Sequence, residues 1–256
     1  MSDRGLDYIP GLIAAYRAGY ATDHVHLGFW PEGEVLTWPQ AQEAMTALHL
    51  DALNLRDGMT VADIGCGIGG SLRVINDRLH DATLIGLNID PRQLAICDEI
   101  AAKNGNSLQW IEAEAAQTGL QTASVDCVLS LEAMFHFPDR QHFLAEAARV
   151  LRPGGILVCS DILFEHCNSE DAAACLAVIT EGYAPWPNPR ATAADHEVNG
   201  LNLRATRDIS AHIDATWDHI VSSRMTPRAS PEAAMKTLHR AGLMKYVMSV
   251  LDKPAT

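Results

Sequence analysis

The 256-residue chain is 48% hydrophobic and 20% charged, which is enough apolar material for one large domain or for one domain with a small appendage. Its formal net charge of -13 would repel phosphate backbones and anionic lipid, so the sequence predicts no nucleic-acid partner and no membrane partner. The N-terminus lacks the positive charge and apolar core of a signal peptide, and no window approaches the roughly 20 apolar residues of a membrane span. We therefore expect a cytoplasmic protein.

Between residues 60 and 161, short β-branched runs alternate with helical patterns. The predicted strands are residues 60–64, 83–88, 107–113, 124–131 and 155–163, and the predicted helices are residues 71–79, 92–103 and 140–151. Residues 153–155, Pro-Gly-Gly, are expected to stop the last helix and turn the chain into the fifth strand. Because parallel neighbours need crossover helices, this alternation predicts an α/β protein with a doubly wound parallel sheet.

The flanks complete this plan. Residues 202–210 and 243–254 are predicted as two last strands, which are separated by helices near 210–222 and 231–241. Residues 1–57 have helical patterning, and we found neither an internal repeat nor a low-complexity linker. The sequence therefore predicts one seven-stranded, mostly parallel sheet with helical covers.

Cysteine and histidine spacing gives little support for a metal. The six cysteines are scattered without any C-x-x-C pair. Of the eleven histidines, only His24 and His26 are spaced as a ligand pair would be, and no carboxylate or cysteine lies at metal-site spacing from them. We expect neither a metal nor a disulfide.

The turn after the first predicted strand is rich in glycine and reads VADIGCGIGG, residues 61–70. Glycines at a helix start let a ligand lie against the backbone N–H groups. A dinucleotide fingerprint is one interpretation, but the spacing here is G-x-G-x-G, and Asp63 before the first glycine would repel a pyrophosphate. An acid at this position suits a ligand that carries an ammonium group.

VADIGCGIGG resembles the first motif of the class I methyltransferases that depend on S-adenosylmethionine (SAM). Three later segments resemble that family in the same order: IGLNIDPRQL, EAEAAQTGLQTASVDCVLSLEAMFHFPDR and RVLRPGGILVCSDI. The resemblance covers about residues 16–251 and is to small-molecule enzymes, among them natural-product O-methyltransferases and sterol and prenyl C-methyltransferases. It implies a Rossmann-like fold, with residues 1–57 covering the active site, a SAM-binding core at 58–256, and an acceptor lid after strand five at about 164–200.

The resemblance also implies a set of cofactor contacts. The main chain of Gly65, Gly67 and Gly69 would contact the methionine part of SAM, and Asp63 would hold its amino group. At the end of the second strand, Asn88 replaces the family's usual acid for the ribose hydroxyls and lacks its charge-assisted strength. The remaining implied contacts are Gln93 on the ribose, Ile89, Glu114 and Ala115 on the adenine, and Leu131 after the fourth strand.

Methyl transfer to oxygen needs a base beside the acceptor, beyond the carboxyl ends of strands four and five. His136 is the candidate base because its ordinary pKa, about 6.5, is near working pH. Asp161 would orient its ring and stabilise the imidazolium, as a similar His and Asp pair does in sugar O-methyltransferases. Glu132 is a second acid nearby. In the alternative interpretation His136 only packs on the cofactor, since some acceptors need no base.

Aromatic residues and histidines in the flanks are predicted to bind the acceptor. The segment GYATDHVHLGFW resembles the family's H-x-G-Y-W-type segment, so that Tyr20, His24, His26 and Trp30 would close over cofactor and acceptor. Tyr183 and Trp186 lie where the family places its acceptor lid, although a proline-stiffened loop there also serves stability alone.

The predicted function is SAM-dependent methylation of a small molecule of specialised metabolism, with S-adenosylhomocysteine (SAH) as product and oxygen as the favoured acceptor atom. The alternatives are methylation of an alkene carbon or of a heterocyclic nitrogen, a SAM-binding scaffold without activity, and an NAD-dependent oxidoreductase. A diphosphate acceptor would want a basic lid, and residues 164–203 offer only Arg190. Whether the chain forms a homo-oligomer is left open.

Overall fold

The computed structural model describes residues 8–165, 169–182, 200–223 and 230–255. The strands in these residues are β1 Thr60–Ile64, β2 Thr83–Asn88, β3 Ser107–Glu112, β4 Val125–Ser130, β5 Leu151–Phe164, β6 Asn202–Asp208 and β7 Met244–Asp252. They form one sheet in the order β3-β2-β1-β4-β5-β7-β6. Strands β1 to β5 are parallel to one another, and β7 lies antiparallel between β5 and β6. The predicted seven-stranded, mostly parallel sheet is confirmed.

Helices connect most of these strands. Their bounds are α1 Ile9–Arg17, α2 Trp38–Ala52, α3 Gly70–Arg78, α4 Pro91–Cys97, α5 Arg140–Val150, α6 Glu170–Gly182, α7 Asp214–Ser223 and α8 Pro231–Arg240. Short 3-10 turns occupy Met134–His136 and Ser210–His212. None of the helices in the described ranges combines the length and the apolar character that crossing a bilayer requires.

Both faces of the sheet are buried, as a doubly wound fold requires. Side chains alternate between two core clusters along each central strand: Val61 belongs to one and Ala62 to the other, and Val158 and Leu157 divide in the same way. Phe143 of α5 fills the cluster that contains Ala62. Near-continuous apolar runs in the central strands follow from this burial on two faces.

Helix α4 is shorter than predicted. It ends at Cys97, whereas the sequence pattern predicts a helix to residue 103. The side chain of Asn76 on α3 explains the difference, because it donates to the carbonyl of Ala101 (2.9 Å) and accepts from the N–H of Lys103 (3.1 Å). A side-chain amide that captures backbone groups in this way competes with the helical pattern.

Strand β5 begins at Leu151, before the position predicted from Pro-Gly-Gly. Leu151 pairs with Val125 and Ile156 with Cys127, so residues 152–155 loop out of the ladder between the two pairs. Gly154 has φ of +79° in this interruption, which is the backbone conformation that glycine tolerates best.

The N-terminal cover is packed on the sheet. On α2, Met45 and Leu50 are buried in the same cluster as Val61 of β1. Removing this helix would expose part of the main core. The division of the chain at residues 57 and 58 therefore separates two parts that share one hydrophobic core.

Candidate active site and cofactor cradle

The loop between β1 and α3 presents main chain at the carboxyl end of β1. Gly65, Gly67 and Gly69 have φ values of +84°, +56° and +86°, which glycine adopts without the strain of a side chain. A Cβ on Gly65 would lie 2.3 Å from the Cβ of Ala133, which is closer than atoms can approach. The loop thus requires glycine and is pressed against the segment that follows β4.

Asp63 lies in β1 just before this loop. Its side chain is 2% exposed, and no group in the described residues donates a hydrogen bond to its carboxyl oxygens. Burial raises its pKa to about 7. A buried carboxyl without a donor costs free energy that a bound cation would recover. Asp63 and the glycine loop, residues 65–70, together form what we call the cradle. The cradle therefore fits the ammonium group of an amino-acid tail and disfavours a phosphate.

Asn88, the predicted ribose ligand at the end of β2, is bound to its protein neighbours. Its amide nitrogen donates to the carbonyl of Gly67 (3.1 Å) and to Oε1 of Gln93 (2.5 Å). Its oxygen accepts from the N–H of Asp90 (3.0 Å) and keeps a second lone pair. Asn88 therefore braces the glycine loop, and its oxygen retains capacity for one ribose hydroxyl.

Residues predicted on the adenine side differ in exposure. Ile89 is 45% exposed, which is high for a large apolar side chain and leaves a surface on which a ring can pack. Glu114 is exposed and Ala115 is half-buried, and the carbonyl of Glu114 accepts from the N–H of Gln117 (3.0 Å). Leu131 is 8% exposed and belongs to the core.

His136 ends the 3-10 turn that follows β4. Its ring stacks on Tyr8, with centroids 6.3 Å apart and planes at 22°, and packs at 4.4 Å against the ring of Phe135. Burial lowers its pKa to about 4. The imidazole is therefore neutral near pH 7, and one ring nitrogen holds a lone pair that can accept a proton.

Asp161 has a charged partner that sequence reasoning missed. Its two carboxylate oxygens accept hydrogen bonds from Nε (2.6 Å) and Nη2 (2.8 Å) of Arg140, and both side chains are almost fully buried. Arg140 is the first residue of α5, and only its place in the HFPDR segment could have drawn attention to it. The carboxylate of Asp161 is thus committed to a guanidinium, and its pairing with His136 stays a prediction.

Glu132 lies between β4 and the cover. Its Oε1 accepts hydrogen bonds from the N–H of Leu27 (2.8 Å) and from the hydroxyl of Tyr246 on β7 (2.8 Å). The same hydroxyl is 3.1 Å from that of Ser160 on β5. Burial raises the pKa of Glu132 to about 8. Tyr246 lies outside the motifs, and nothing in the motif RVLRPGGILVCSDI singles out Ser160, so the sequence did not reveal this group.

The two cover histidines form an internal network. Nε2 of His26 lies 2.9 Å from the hydroxyl of Thr46 on α2 and 3.3 Å from Nδ1 of His24, and its Nδ1 lies 2.8 Å from the carbonyl of Leu27. Burial lowers the pKa of His26 to about 3 and also lowers that of His24. Both rings are neutral, and hydrogen bonds inside the cover hold them.

The other predicted acceptor residues are dispersed. Tyr20 is 89% exposed. Trp30 packs against Trp38 with ring centroids 6.0 Å apart. Tyr183 and Trp186 lie outside the described residues. Glu132 and His136 both lie on the segment after β4, and their roles toward an acceptor stay predictions.

Within the described ranges, no group of three or more His, Cys, Asp or Glu side chains is arranged to hold a metal ion. The described cysteines, Cys66, Cys97, Cys127, Cys159 and Cys175, are free thiols.

Residues 62–159 match the family described as "Methyltransferase domain". Methyltransferase GfsG of Streptomyces halstedii is 31% identical over 200 residues, which cover 74% of this chain and 69% of that protein. The 27-O-demethylrifamycin SV methyltransferase of Amycolatopsis mediterranei is 29% identical over 199 residues, covering 76% of this chain and 72% of that protein. The residues matched by the family, 62–159, include the glycine loop and Asp63.

A solved structure shares the whole fold. Geranyl diphosphate C-methyltransferase from Streptomyces coelicolor, in complex with Mg2+, geranyl diphosphate and SAH, has a TM-score of 0.74 at 18% identity and covers 90% of this chain and 93% of that chain. On its sheet order, its glycine loop and its relatives, this chain belongs to the class I SAM-dependent methyltransferases.

Proposed function

We propose that this methyltransferase acts on a hydroxyl oxygen of a small molecule of specialised metabolism, with His136 as the base. The observation that carries the proposal is the neutral imidazole at the carboxyl end of β4, next to the segment that touches the glycine loop. The Amycolatopsis relative described above is named as a methyltransferase of an O-demethyl compound, and this supports oxygen as the acceptor atom.

The cradle residues would hold SAM as the resemblance implies. Asp63 would bind the ammonium group, the main chain of the glycine loop would contact the methionine part, and the second lone pair of the Asn88 oxygen would accept from a ribose hydroxyl. When bound, SAM supplies an electrophilic methyl group on a positively charged sulfur. Orientation of the acceptor against this group is the main contribution expected of the protein.

His136 accepts the acceptor's proton in this proposal. Asp161 is proposed to act on His136 indirectly. It binds Arg140, the first residue of α5, and this helix directly follows the segment that carries His136. Tyr183 and Trp186 are proposed to line the acceptor space from the lid. Glu132 is proposed to face the same space.

Titration calorimetry and a transfer assay test the function. We expect SAH to bind in the nanomolar to micromolar range and NAD not to bind. With SAM labelled in its methyl group, we expect label to appear on an oxygen of an acceptor from a panel of phenols, sugars and hydroxylated macrolactones. Binding of NAD without SAH would refute the proposal, and binding of SAH without transfer to any acceptor would favour a scaffold.

Substitutions of His136 test whether it is the general base. His136→Ala and His136→Gln should lower kcat by about 10²–10⁴-fold, the usual contribution of a general base, while SAH affinity changes little. Because the neutral ring is the active form, kcat of the unmodified enzyme at saturating SAM should fall only as pH drops toward about 4. An unchanged kcat in both variants would discard His136 as the base.

Carbon methylation is a second candidate, supported by the fold shared with geranyl diphosphate C-methyltransferase. An alkene acceptor needs no base before transfer, but a proton must leave the carbocation afterwards. The product's labelled position distinguishes the two candidates directly. Label on nitrogen would establish the third alternative.

A further inference from the structure

Glu132 has a strained backbone. Its φ is +50°, a left-handed conformation that is costly for a residue with a side chain and that is concentrated at functional sites. Its N–H donates to the hydroxyl of Ser160 (3.0 Å), which is one of the contacts that hold this conformation. This backbone conformation, together with the hydrogen bond to Ser160, therefore sets the direction in which the Glu132 side chain leaves the main chain.

The carboxyl group is held by one oxygen only. Leu27 N–H and the Tyr246 hydroxyl both donate to Oε1, each at 2.8 Å. Across the part of the chain that the structure describes, nothing donates to Oε2, and the residue is half-buried. Two donors on the same oxygen orient the group and leave the other oxygen to a ligand.

Glu132 lies between the glycine loop and the cover. Its neighbour Ala133 is the residue that a Cβ on Gly65 would strike. On the cover side, Leu27 binds the carboxyl group, and Val25 lies 3.4 Å from the position of a Cβ on Gly67. The methionine part of SAM, with its charged sulfur, would lie along the glycine loop, and Ala133, the neighbour of Glu132, packs against that loop.

We propose that the Glu132 carboxylate faces the sulfonium of SAM and distinguishes the cationic cofactor from its uncharged thioether product, and that Tyr246 is the residue that positions it. This inference rests on the proposed function. Once the methyl group has left, the sulfur is neutral and the attraction to Glu132 ends. The carboxylate thereby favours binding of the donor and release of SAH.

The other ionisable groups around Glu132 keep one charge state, act equally on both ligands or are unchanged when Glu132 is replaced. Tyr246 stays protonated because burial raises its pKa well above 10. Burial raises the pKa of Asp161 although Arg140 is its partner, and this pair stays in place when Glu132 is replaced, so any titration of Asp161 would also appear in that variant. His136 is neutral above about pH 4. Asp63 titrates near pH 7, but the amino group that it would bind is common to SAM and SAH.

Equilibrium binding of the two ligands tests the proposal without knowledge of the acceptor. The ratio Kd(SAH)/Kd(SAM) is measured by calorimetry from about pH 6 to about pH 9, a range that spans the pKa of Glu132. As Glu132 ionises, the ratio should rise about tenfold, which is the scale expected for two charges several ångströms apart in a partly screened site. Glu132→Gln keeps the acceptor oxygen for Leu27 and Tyr246, and its ratio should be flat apart from what the ligands themselves contribute.

Tyr246→Phe and Asp63→Asn complete the design. The Tyr246 hydroxyl stabilises the ionised carboxyl, so its loss should move the midpoint of the rise to higher pH. Asp63→Asn should weaken both ligands alike and leave the rise in place. Equal ratios in Glu132→Gln and the unmodified protein, or an unmoved midpoint in Tyr246→Phe, would overturn this proposal. Failure of the unmodified protein to bind either ligand would instead overturn the proposed function, and this proposal with it.

Discussion

Asp63→Asn should raise the Kd for SAH by about 10- to 100-fold, because a charge-assisted hydrogen bond to the ligand's ammonium group is replaced by a neutral one. The substitution preserves the shape of a side chain that is 2% exposed, so the glycine loop should keep its conformation. Calorimetry with SAH measures the effect. Asp51→Asn on the exposed face of α2 is the matched control and should bind SAH like the unmodified protein.

Asp63→Asn should weaken SAH binding but should make the ligand-free protein more stable at neutral pH. Burial raises the folded-state pKa of Asp63 to about 7, against about 3.8 in the unfolded chain. An acid with a raised folded pKa costs nothing below the unfolded value and destabilises the fold increasingly as pH rises to the folded value. Without ligand, the free energy of unfolding should therefore fall relative to Asp63→Asn between about pH 4 and pH 7, by up to about 4 kcal/mol.

Denaturant unfolding of both proteins at several pH values measures this difference. Saturating SAH should abolish it, because the ammonium group then compensates the carboxylate. A difference that is absent without ligand would show that Asp63 is solvated or has a partner in the free protein. An unchanged SAH affinity would remove Asp63 from the cofactor site.

Arg140→Ala should cost about 3–5 kcal/mol of unfolding free energy, the usual cost of leaving one member of a buried ion pair without its partner. Asp161 would remain buried after losing both guanidinium hydrogen bonds. Burial already raises the pKa of Asp161 beside Arg140, and loss of the guanidinium would raise it further. The deficit should therefore shrink as pH falls through this raised pKa and Asp161 takes up a proton.

Two variants calibrate this result. Asp161→Asn in the Arg140→Ala background removes the unpaired charge and should recover part of the lost stability. Lys103→Ala breaks an exposed pair with Asp77 and should cost only about 1 kcal/mol. A cost for Arg140→Ala no larger than that of Lys103→Ala would mean that the Asp161 carboxylate is compensated in another way.

Local signals along the chain were sufficient for the order and direction of the main elements. Apolar runs of strand length between helical patterns identify β1, β2 and β4, because strands buried on both faces are apolar on both sides. The glycine spacing with Asp63 pointed to an amino-acid tail, since backbone freedom and charge are both readable from residue types. Where a distant side chain intervened, as Asn76 does at the end of α4, the predicted boundary was wrong.

The sequence by itself thus determined the sheet, the glycine cradle and the family. Only the tertiary structure decided which side chains share hydrogen bonds across the carboxyl edge of the sheet. Arg140 lies 21 residues from its partner Asp161 along the chain. Glu132 lies 114 residues from Tyr246. No periodicity links such positions, because their pairing depends on how helices and strands pack in three dimensions. The charge state of each acid follows from that packing, since burial and partners set its pKa.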